Sequence, residues 1–373
     1  MAVYRIFPEK TATIYSRYPL YNTGLDEILE VDSYYVGDTS YVARTLIQFD
    51  SVEQQNVIDN IIGSTNFNAN IKLYLAEGKE APTSYTVNAY PLYDDWDRGS
   101  GHFGDIPSAT DGVNWINATP SSYWTSPLIT NTTASYSSAA IDVEGGVWYT
   151  GSQGVSLESS QTHGVNSTHD VSLDVTPTVL THYRYTSGQT LTNIANNGFI
   201  IKLDDNNEFQ QERQLFLKYF SANTHTIYPP CLEFTWDDFN YNSTLPEVVT
   251  DNLVITLINN KGVYTDEGKQ RFRLHVRPTY PSRTFSTTSN YLTNYKLPST
   301  AMWGIRDEHT EEMVVDFNSD FTKISADNTS SYFDVYMEGL QPERHYRLLI
   351  KATIDGTTTV YNKGLVFKVV RNG

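Results

Sequence analysis

The sequence predicts an all-β protein built from two β-sandwiches. Aromatic residues make up 13% of the chain, with 27 Tyr, whereas charged residues make up only 18%. Short runs of apolar, aromatic and β-branched residues recur between polar turns, which is typical of strands that bury at least one face. The 373 residues are too many for one ordinary sandwich, so we expect two domains.

Formal charge divides the chain into the same two parts. Up to Pro246 there are 11 Lys and Arg against 28 Asp and Glu, a net charge of −17, and after it there are 15 of each. An acidic body repels phosphate backbones and anionic lipid, so nucleic acid and membrane surfaces are poor partners. The chain contains no apolar run of about 18 residues, and its first residues, MAVYRIFPEK, lack the apolar segment of a signal peptide. We therefore expect no membrane insertion and no export signal.

The strands of the first domain are predicted in chain order from these apolar runs. A helical turn is expected at residues 58–62, and a short helix after the D-V-T segment at residues 174–176. The single cysteine, Cys231, is expected to be a buried small hydrophobe in the last strand, and it excludes an intramolecular disulfide framework. The predicted strands are 11–15, 28–31, 41–49, 71–76, 87–93, one near 170–174, 199–203, and two within 214–236.

Several of these segments carry a shared sequence pattern. Arg44 precedes LIQFD, IKLYLA follows, Trp96 and Trp115 bound a Gly- and Asp-rich loop, and NNGFIIKL is followed by PPCLEFTW. Together they resemble DNRLRE-type domains, which are β-sandwich modules of extracellular and cell-surface proteins. The resemblance covers residues 1–237 and implies a jelly-roll-like β-sandwich.

Residues 117–169 are the part of this domain least similar to the family. They are rich in Ser, Thr, Gly and Asn, and they are too long for a bare connection, so we interpret them as a loop insertion. The insertion contains Trp124, Trp148 and Tyr149. Aromatic rings stack on the apolar faces of sugars, so these three residues are candidate glycan contacts; the alternative is that they anchor the loop.

A second domain is predicted at 248–373, after a linker at 238–247. Its predicted strands are 253–258, 272–276, 313–317, 332–337, 346–354 and 365–370. The segment GLQPERHYRLLIKATIDG is similar to the corner between two strands of fibronectin type III modules. This resemblance implies an immunoglobulin/fibronectin-III-like β-sandwich, in which the hydroxyl of Tyr346 closes back on the preceding loop.

The polar residues predict no catalytic site. Two Asp-rich loops, at 94–111 and 204–208, offer the oxygen ligands that Ca²⁺ prefers, but solvated loop tips and turn-forming side chains are the favoured explanation. The chain has no nucleophile elbow, zinc motif or phosphate loop, and neighbouring carboxylates alone do not build a glycosidase site. His163 and His169 lie within the insertion without an identifiable acid–base partner. We therefore expect no enzyme activity and no cofactor, with a structural Ca²⁺ ion as the one open alternative and metal ligands unassigned.

The expected function rests on two features of the sequence: the resemblance to modules of surface proteins, and the expected lack of an export signal. A protein of this kind fits a virus particle that leaves its host by lysis, so we expect a structural or interaction component of a bacteriophage tail, baseplate, neck or capsid decoration. Its partners would be other virion proteins, with homo-oligomerisation open. The alternative is a carbohydrate-binding adhesion module that recognises host-surface glycan.

Overall fold

The chain forms two compact β-rich units. One unit is Ile6–Glu233, and the other is Met1–Arg5 together with Phe234–Gly373. The first has 10 Lys and Arg against 26 Asp and Glu, a net charge of −16, and the second has 16 against 17, a net charge of −1. The computed structural model confirms the all-β, sandwich-like class, and it describes residues 2–63, 67–124, 144–149, 157–186, 194–209, 214–258, 260–282 and 289–372.

The N-terminal part of the chain carries fourteen of the described strands. They are β1 Ala2–Ile6, β2 Pro8–Tyr15, β3 Ile28–Val36, β4 Thr39–Phe49, β5 Phe67–Leu73, β6 Leu75–Lys79, β7 Ser84–Pro91, β8 Asn117–Thr119, β9 Ser122–Tyr123, β10 Ser159–Gly164, β11 Val171–Asp174, β12 Phe199–Leu203, β13 Leu215–Phe220 and β14 Cys231–Trp236. Three α-helices are α1 Ser51–Val57, α2 Thr176–Thr186 and α3 Asp205–Glu208.

Two sheets organise these strands. One runs in the order β10-β7-β12-β4-β3-β13-β6, with β2 paired to β4, and the other runs β1-β14-β5-β11. Strands β12 and β14 are buried along their whole length, as their apolar sequences FIIKL and CLEFTW indicate. Cys231 is buried as predicted. The strands expected at 71–76 and 87–93 are present with shifted ends, because the first divides at Tyr74 into β5 and β6.

Helix α1 was not predicted, although the helical segment that follows it was. Asp50 caps its start, since the Asp50 carboxylate accepts from the backbone N–H of Val52 and Glu53. The α-helix then widens to a π-helix over Ile58–Ile62, which is the segment expected to form a single turn. Gly63, with φ 84°, ends it.

The C-terminal unit contains two further sheets with a shared apolar core. Their orders are β15-β17-β21-β20 and β16-β23-β22-β18-β19. The ring of Trp303 stacks on Phe333 at 5.0 Å within this core. The strands are β15 Leu253–Ile258, β16 Val263–Thr265, β17 Lys269–Pro278, β18 Met302–Asp307, β19 Met313–Val315, β20 Ser325–Ala326, β21 Ser331–Tyr336, β22 Arg344–Ile354 and β23 Thr357–Val370.

The predicted tyrosine corner is present in the C-terminal unit. The Tyr346 side chain is buried, and its hydroxyl donates to the carbonyl oxygen of Gln341 at 2.9 Å. Burial raises the pKa of the Tyr346 phenol, which keeps it a donor. None of the described helices is long and apolar enough to cross a membrane.

Candidate functional site

The three candidate glycan contacts lie in different environments from those expected. Trp124 and Trp148 are only 2% and 3% exposed, so the expectation that they offer stacking surfaces is wrong for both. The Trp124 indole N–H donates to the carbonyl of Asn114 at 3.1 Å. Tyr149 is half-buried with its ring 5.3 Å from that of Tyr93, and burial raises its pKa to about 12. Tyr149 alone of the three keeps an accessible face.

Trp148 is buried because it covers a buried ionic network. The guanidinium of Arg44 donates to both carboxylate oxygens of Glu208, at 2.8 and 2.9 Å, and to the carbonyl of Gly145 at 2.7 Å. The Lys202 ammonium lies 3.0 Å from the same carboxylate and 2.8 Å from Asp205. The Arg44, Lys202 and Glu208 side chains are each at most 3% exposed. A buried charge requires such compensation.

Two indole rings complete the enclosure of these cations. Arg44 lies 4.9 Å from the ring centroid of Trp115 and 5.3 Å from that of Trp148, and Lys202 lies 5.6 Å from Trp148. These distances are within the range of cation–π attraction. We call Arg44, Lys202, Glu208, Trp115 and Trp148 the buried ionic cluster. Within this cluster, with Asp205 and the Gly145 carbonyl beside it, the cations and the carboxylate are paired, which suits structural support rather than catalysis.

The described parts of the predicted insertion belong to the fold. Strand β10 pairs with β7, and Trp148 bridges to Leu92. Trp124, Val147 and Trp148 pack in one apolar cluster with residues of the early strands, including Ile14. The predicted insertion is therefore anchored by strand pairing and apolar contacts in 117–124, 144–149 and 157–169, while 125–143 and 150–156 lie outside the described residues.

The acidic loops organise backbone turns. Asp111 accepts from the N–H and hydroxyl of Ser100, at 3.0 and 2.7 Å, and Asp105 accepts from the N–H of His102 at 2.8 Å. Asp204 caps α3. Among the described residues, no group of three or more His, Cys, Asp or Glu side chains is placed to hold a metal ion. Asx-type turns thus account for these carboxylates.

The two histidines of the insertion stack around one tyrosine. The Tyr85 ring lies 4.9 Å from that of His163 and 5.8 Å from that of His169, and the two imidazoles are 6.2 Å apart. The Tyr85 hydroxyl is 2.6 Å from Nδ1 of His169. His163 is fully buried, its Nδ1 is 2.9 Å from the carbonyl of Thr168, and burial lowers its pKa. A neutral, enclosed imidazole of this kind packs as an aromatic ring.

A buried asparagine fixes the Gly-rich loop that Trp96 and Trp115 bound. The Asn22 amide donates to the carbonyls of Arg98 and Val113, both at 2.8 Å, and its oxygen accepts from the N–H of Gly101 at 2.8 Å. A Cβ on Gly101 would meet the Asn22 carbonyl at 2.5 Å, so glycine is needed for this close approach. The loop is consequently held against the turn that contains Asn22.

This anchoring brings together three aromatic rings that are distant in sequence. Tyr18 and Tyr21 stack at 5.1 Å with an interplanar angle of 16°. Phe103, from the Gly-rich loop, meets Tyr18 edge-on at 5.4 Å and Tyr21 at 5.7 Å, and it is 49% exposed. Tyr18 and Tyr21 are half-buried. We call Tyr18, Tyr21 and Phe103 the aromatic platform.

A row of further rings continues from the platform around one arginine. The exposed Arg17 guanidinium lies 5.6 Å from the Tyr18 ring, 5.7 Å from Tyr34 and 5.5 Å from Tyr41. Tyr34 also stacks on Phe216 at 5.4 Å. A hydrogen bond from Arg17 to the Tyr34 hydroxyl, at 3.4 Å, is the largest cause of a raised Arg17 pKa. This side of the N-terminal unit therefore presents several ring faces with one cation among them.

Carboxylates and an imidazole form a polar edge beside the platform. Asp26 accepts from the N–H of Phe103 at 3.0 Å and lies 3.3 Å from Nδ1 of His102, and burial is the largest cause of its raised pKa. Sequence reasoning missed the platform. The pair of tyrosines in YPLYNTG, at residues 18–24 between the first two predicted strands, was the signal that could have found it.

Known proteins add no identity for the chain. No protein-family model matches this sequence. No curated protein matches it at a significant level either. The resemblance to DNRLRE-type and fibronectin type III modules therefore stays a prediction from the sequence, and function must be inferred from the site geometry.

Proposed function

We propose that this protein is a non-enzymatic interaction component of a virus particle, such as a phage tail, baseplate, neck or capsid decoration. The main support is the contrast between its sites: the buried ionic cluster has its charges satisfied internally, whereas the aromatic platform is open to solvent and backed by a fixed loop. A rigid surface of rings suits binding rather than proton transfer. The resemblance to surface-type modules supports the virion setting.

The direct test of the virion role is particle composition. Purified particles of the parent virus should contain the protein at a fixed stoichiometry, measured by quantitative mass spectrometry. A particle made from a genome that lacks the coding sequence should show a defect in assembly or adsorption. Absence of the protein from intact particles would contradict the virion role and leave a free adhesion module as the better account.

The aromatic platform favours a second candidate function, the recognition of a surface glycan. Pyranose rings have apolar C–H faces that pack on aromatic rings, and carboxylates such as Asp26 accept from sugar hydroxyls. Because the platform lies in a unit of net charge −16, a neutral glycan is a better ligand there than an acidic one.

A substitution pair tests this second function. Phe103→Ala and Tyr21→Ala should each lower binding to neutral glycans on an array by about tenfold or more, because each removes ring area from the platform. Tyr280→Ala removes a tyrosine that is 81% exposed in the other unit and should leave binding unchanged. Equal binding by all three variants would show that the platform is not the contact surface.

A further inference from the structure

Strand β17 of the C-terminal unit carries a row of basic side chains on one face. Its sequence KQRFRLHVRP alternates, so that Phe272, Leu274 and Val276 point into the core. The opposite face takes every second residue, because successive strand side chains point to opposite sides. We call this set the basic row: Lys269, Arg271, Arg273, His275 and Arg277.

The carboxylates on this face compensate the basic row in part. Asp334 accepts a bidentate pair from Arg271, at 2.7 and 2.9 Å, and lies 3.4 Å from Lys269. Asp327 lies 2.8 Å from Arg273. Burial by itself raises the pKa of the Asp327 carboxyl, but hydrogen bonds from Arg273 and the backbone outweigh it and lower the pKa to about 2. Two carboxylates therefore face four permanent cations. The face therefore keeps a net charge of about +2, because Asp334 is shared between Lys269 and Arg271.

Tyrosines Tyr332 and Tyr291 lie against the same cations. The guanidinium of Arg271 is 4.2 Å from the Tyr332 ring centroid, and that of Arg273 is 5.2 Å from it. Arg277 is 4.9 Å from Tyr291, whose side chain is 53% exposed. Such stacking fixes the guanidinium planes and leaves their outer N–H groups directed away from the ring. The face thus combines ordered cations with exposed aromatic area.

We propose that this face, made of the basic row with Tyr291, Tyr332 and Asp334, binds an acidic polysaccharide that bears carboxylate or sulfate groups. Lys269 and Arg277, the outermost cations of the row, lie roughly 20–26 Å apart at about 3.3 Å per residue. A chain with a charge on each sugar or disaccharide can reach both ends while its sugar rings cover the tyrosines between them. This site is independent of the aromatic platform and of its neutral ligand.

Charge density separates this ligand from the other polyanions. Duplex DNA carries one charge per about 1.7 Å, and its affinity depends on many phosphate contacts. A row with a net charge of about +2 cannot supply those contacts. A sparse polyanion needs few ion pairs and gains the remainder from ring contacts, so the acidic polysaccharide fits this face better.

The test uses the full chain with defined oligosaccharides. Calorimetry should detect binding of an oligogalacturonate, of a sulfated dextran oligomer, or of both, with the two probes distinguishing carboxylate from sulfate recognition. The fully methyl-esterified oligogalacturonate should not bind. Affinity should fall by about tenfold between 50 and 200 mM salt, as expected for release of about two counterions.

Matched variants locate the site. The double variant Lys269→Gln with Arg277→Gln should bind at least about tenfold more weakly. The control is Lys351→Gln with Lys363→Gln, which makes the same charge change at two lysines that also lie over rings, those of Phe317 and Tyr361, and it should keep full affinity. Asp327→Asn should bind more tightly, since it frees Arg273 while the amide oxygen can still accept the turn N–H groups of Thr329 and Ser330.

Three outcomes would overturn the proposal. They are the absence of binding to both acidic probes, equal losses in the two double variants, and tighter binding of polyuridylate or polyglutamate than of either sugar. The last would assign the face to nucleic acid or to an acidic peptide. Because Asp327→Asn predicts a gain, a variant that merely unfolds cannot imitate the expected pattern.

Discussion

The N-terminal unit places arginine against aromatic rings twice, once in its core and once on its surface. Arg44 is almost fully buried between Trp115 and Trp148, and its guanidinium donates two hydrogen bonds to the Glu208 carboxylate. Arg17 is exposed among Tyr18, Tyr34 and Tyr41 with one long hydrogen bond to a phenol. The same pair of chemical groups therefore supports the fold in one place and offers a binding surface in the other. The extent of burial decides which of these two roles the arginine and its rings have.

The sharpest way to break this comparison is to remove the central carboxylate of the buried ionic cluster. Glu208→Gln leaves Arg44 and Lys202 buried with no adequate counter-charge, and we expect a loss of about 3–5 kcal/mol in the free energy of unfolding. Urea denaturation followed by tryptophan fluorescence would measure it. Glu311→Gln is a matched control, because that carboxylate is 73% exposed and lies 3.6 Å from Arg306. A change below about 1 kcal/mol for Glu208→Gln would mean that the cluster does not support the fold.

His182 extends the comparison to a buried base whose pKa reflects burial alone. Desolvation lowers its pKa to about 3, so the folded protein keeps this imidazole neutral while the unfolded chain titrates near its usual value of about 6.5. Its contribution to stability is complete above pH 6.5 and is lost progressively as pH falls towards 3. Between pH 7 and 5 the loss should be about 2 kcal/mol.

Replacement of this histidine isolates its effect from that of the carboxylates. His182→Leu should remove that part of the decline, so the difference in unfolding free energy between wild type and variant should change by about 2 kcal/mol between pH 7 and 5. A difference that is constant with pH would show that His182 takes up its proton over the same pH range in the folded protein as in the unfolded chain. Urea titrations at each pH provide the measurement.

The smallest expected effect is at the surface arginine. Arg17→Gln should leave the free energy of unfolding nearly unchanged, because the side chain is exposed and exposed cation–ring contacts are weak. Glycan binding should nevertheless change if the row beside the aromatic platform contributes to the contact surface. Equal stability losses for Arg17→Gln and Glu208→Gln would remove the distinction between the two arginine sites.

Local pattern predicted most of the fold. Alternating runs such as LFLKYF and RHYRLLIKATI predicted the strands β13 and β22. The resemblance of GLQPERHYRLLIKATIDG to a fibronectin type III corner predicted the contact of the Tyr346 hydroxyl with the preceding loop. These features depend on residues that are neighbours in sequence. Short strands such as β16 and β20 escaped prediction, since two or three residues carry no period.

The candidate site could not be predicted in the same way because its contacts are long-range. Trp148 is buried by Arg44, which itself depends on Glu208, 164 residues further along the chain. Phe103 reaches Tyr18 only because Asn22 fixes the Gly-rich loop. Sequence composition indicated aromatic recognition, but it could not show which rings the ionic groups would cover.

The short strand near the start of the chain has a consequence for synthesis. Arg5 donates to the carbonyl of Val314, 309 residues away, and Tyr4 packs edge-on to Tyr336 at 5.8 Å within the C-terminal unit. At about 5–20 residues per second, a ribosome needs roughly 15–60 s to make the intervening polypeptide. For that time residues 2–5 lack the groups that they contact in the C-terminal unit, and an uncovered strand can pair wrongly. The contacts of residues 2–5 in that unit can therefore form only after residues 314–336 have been made.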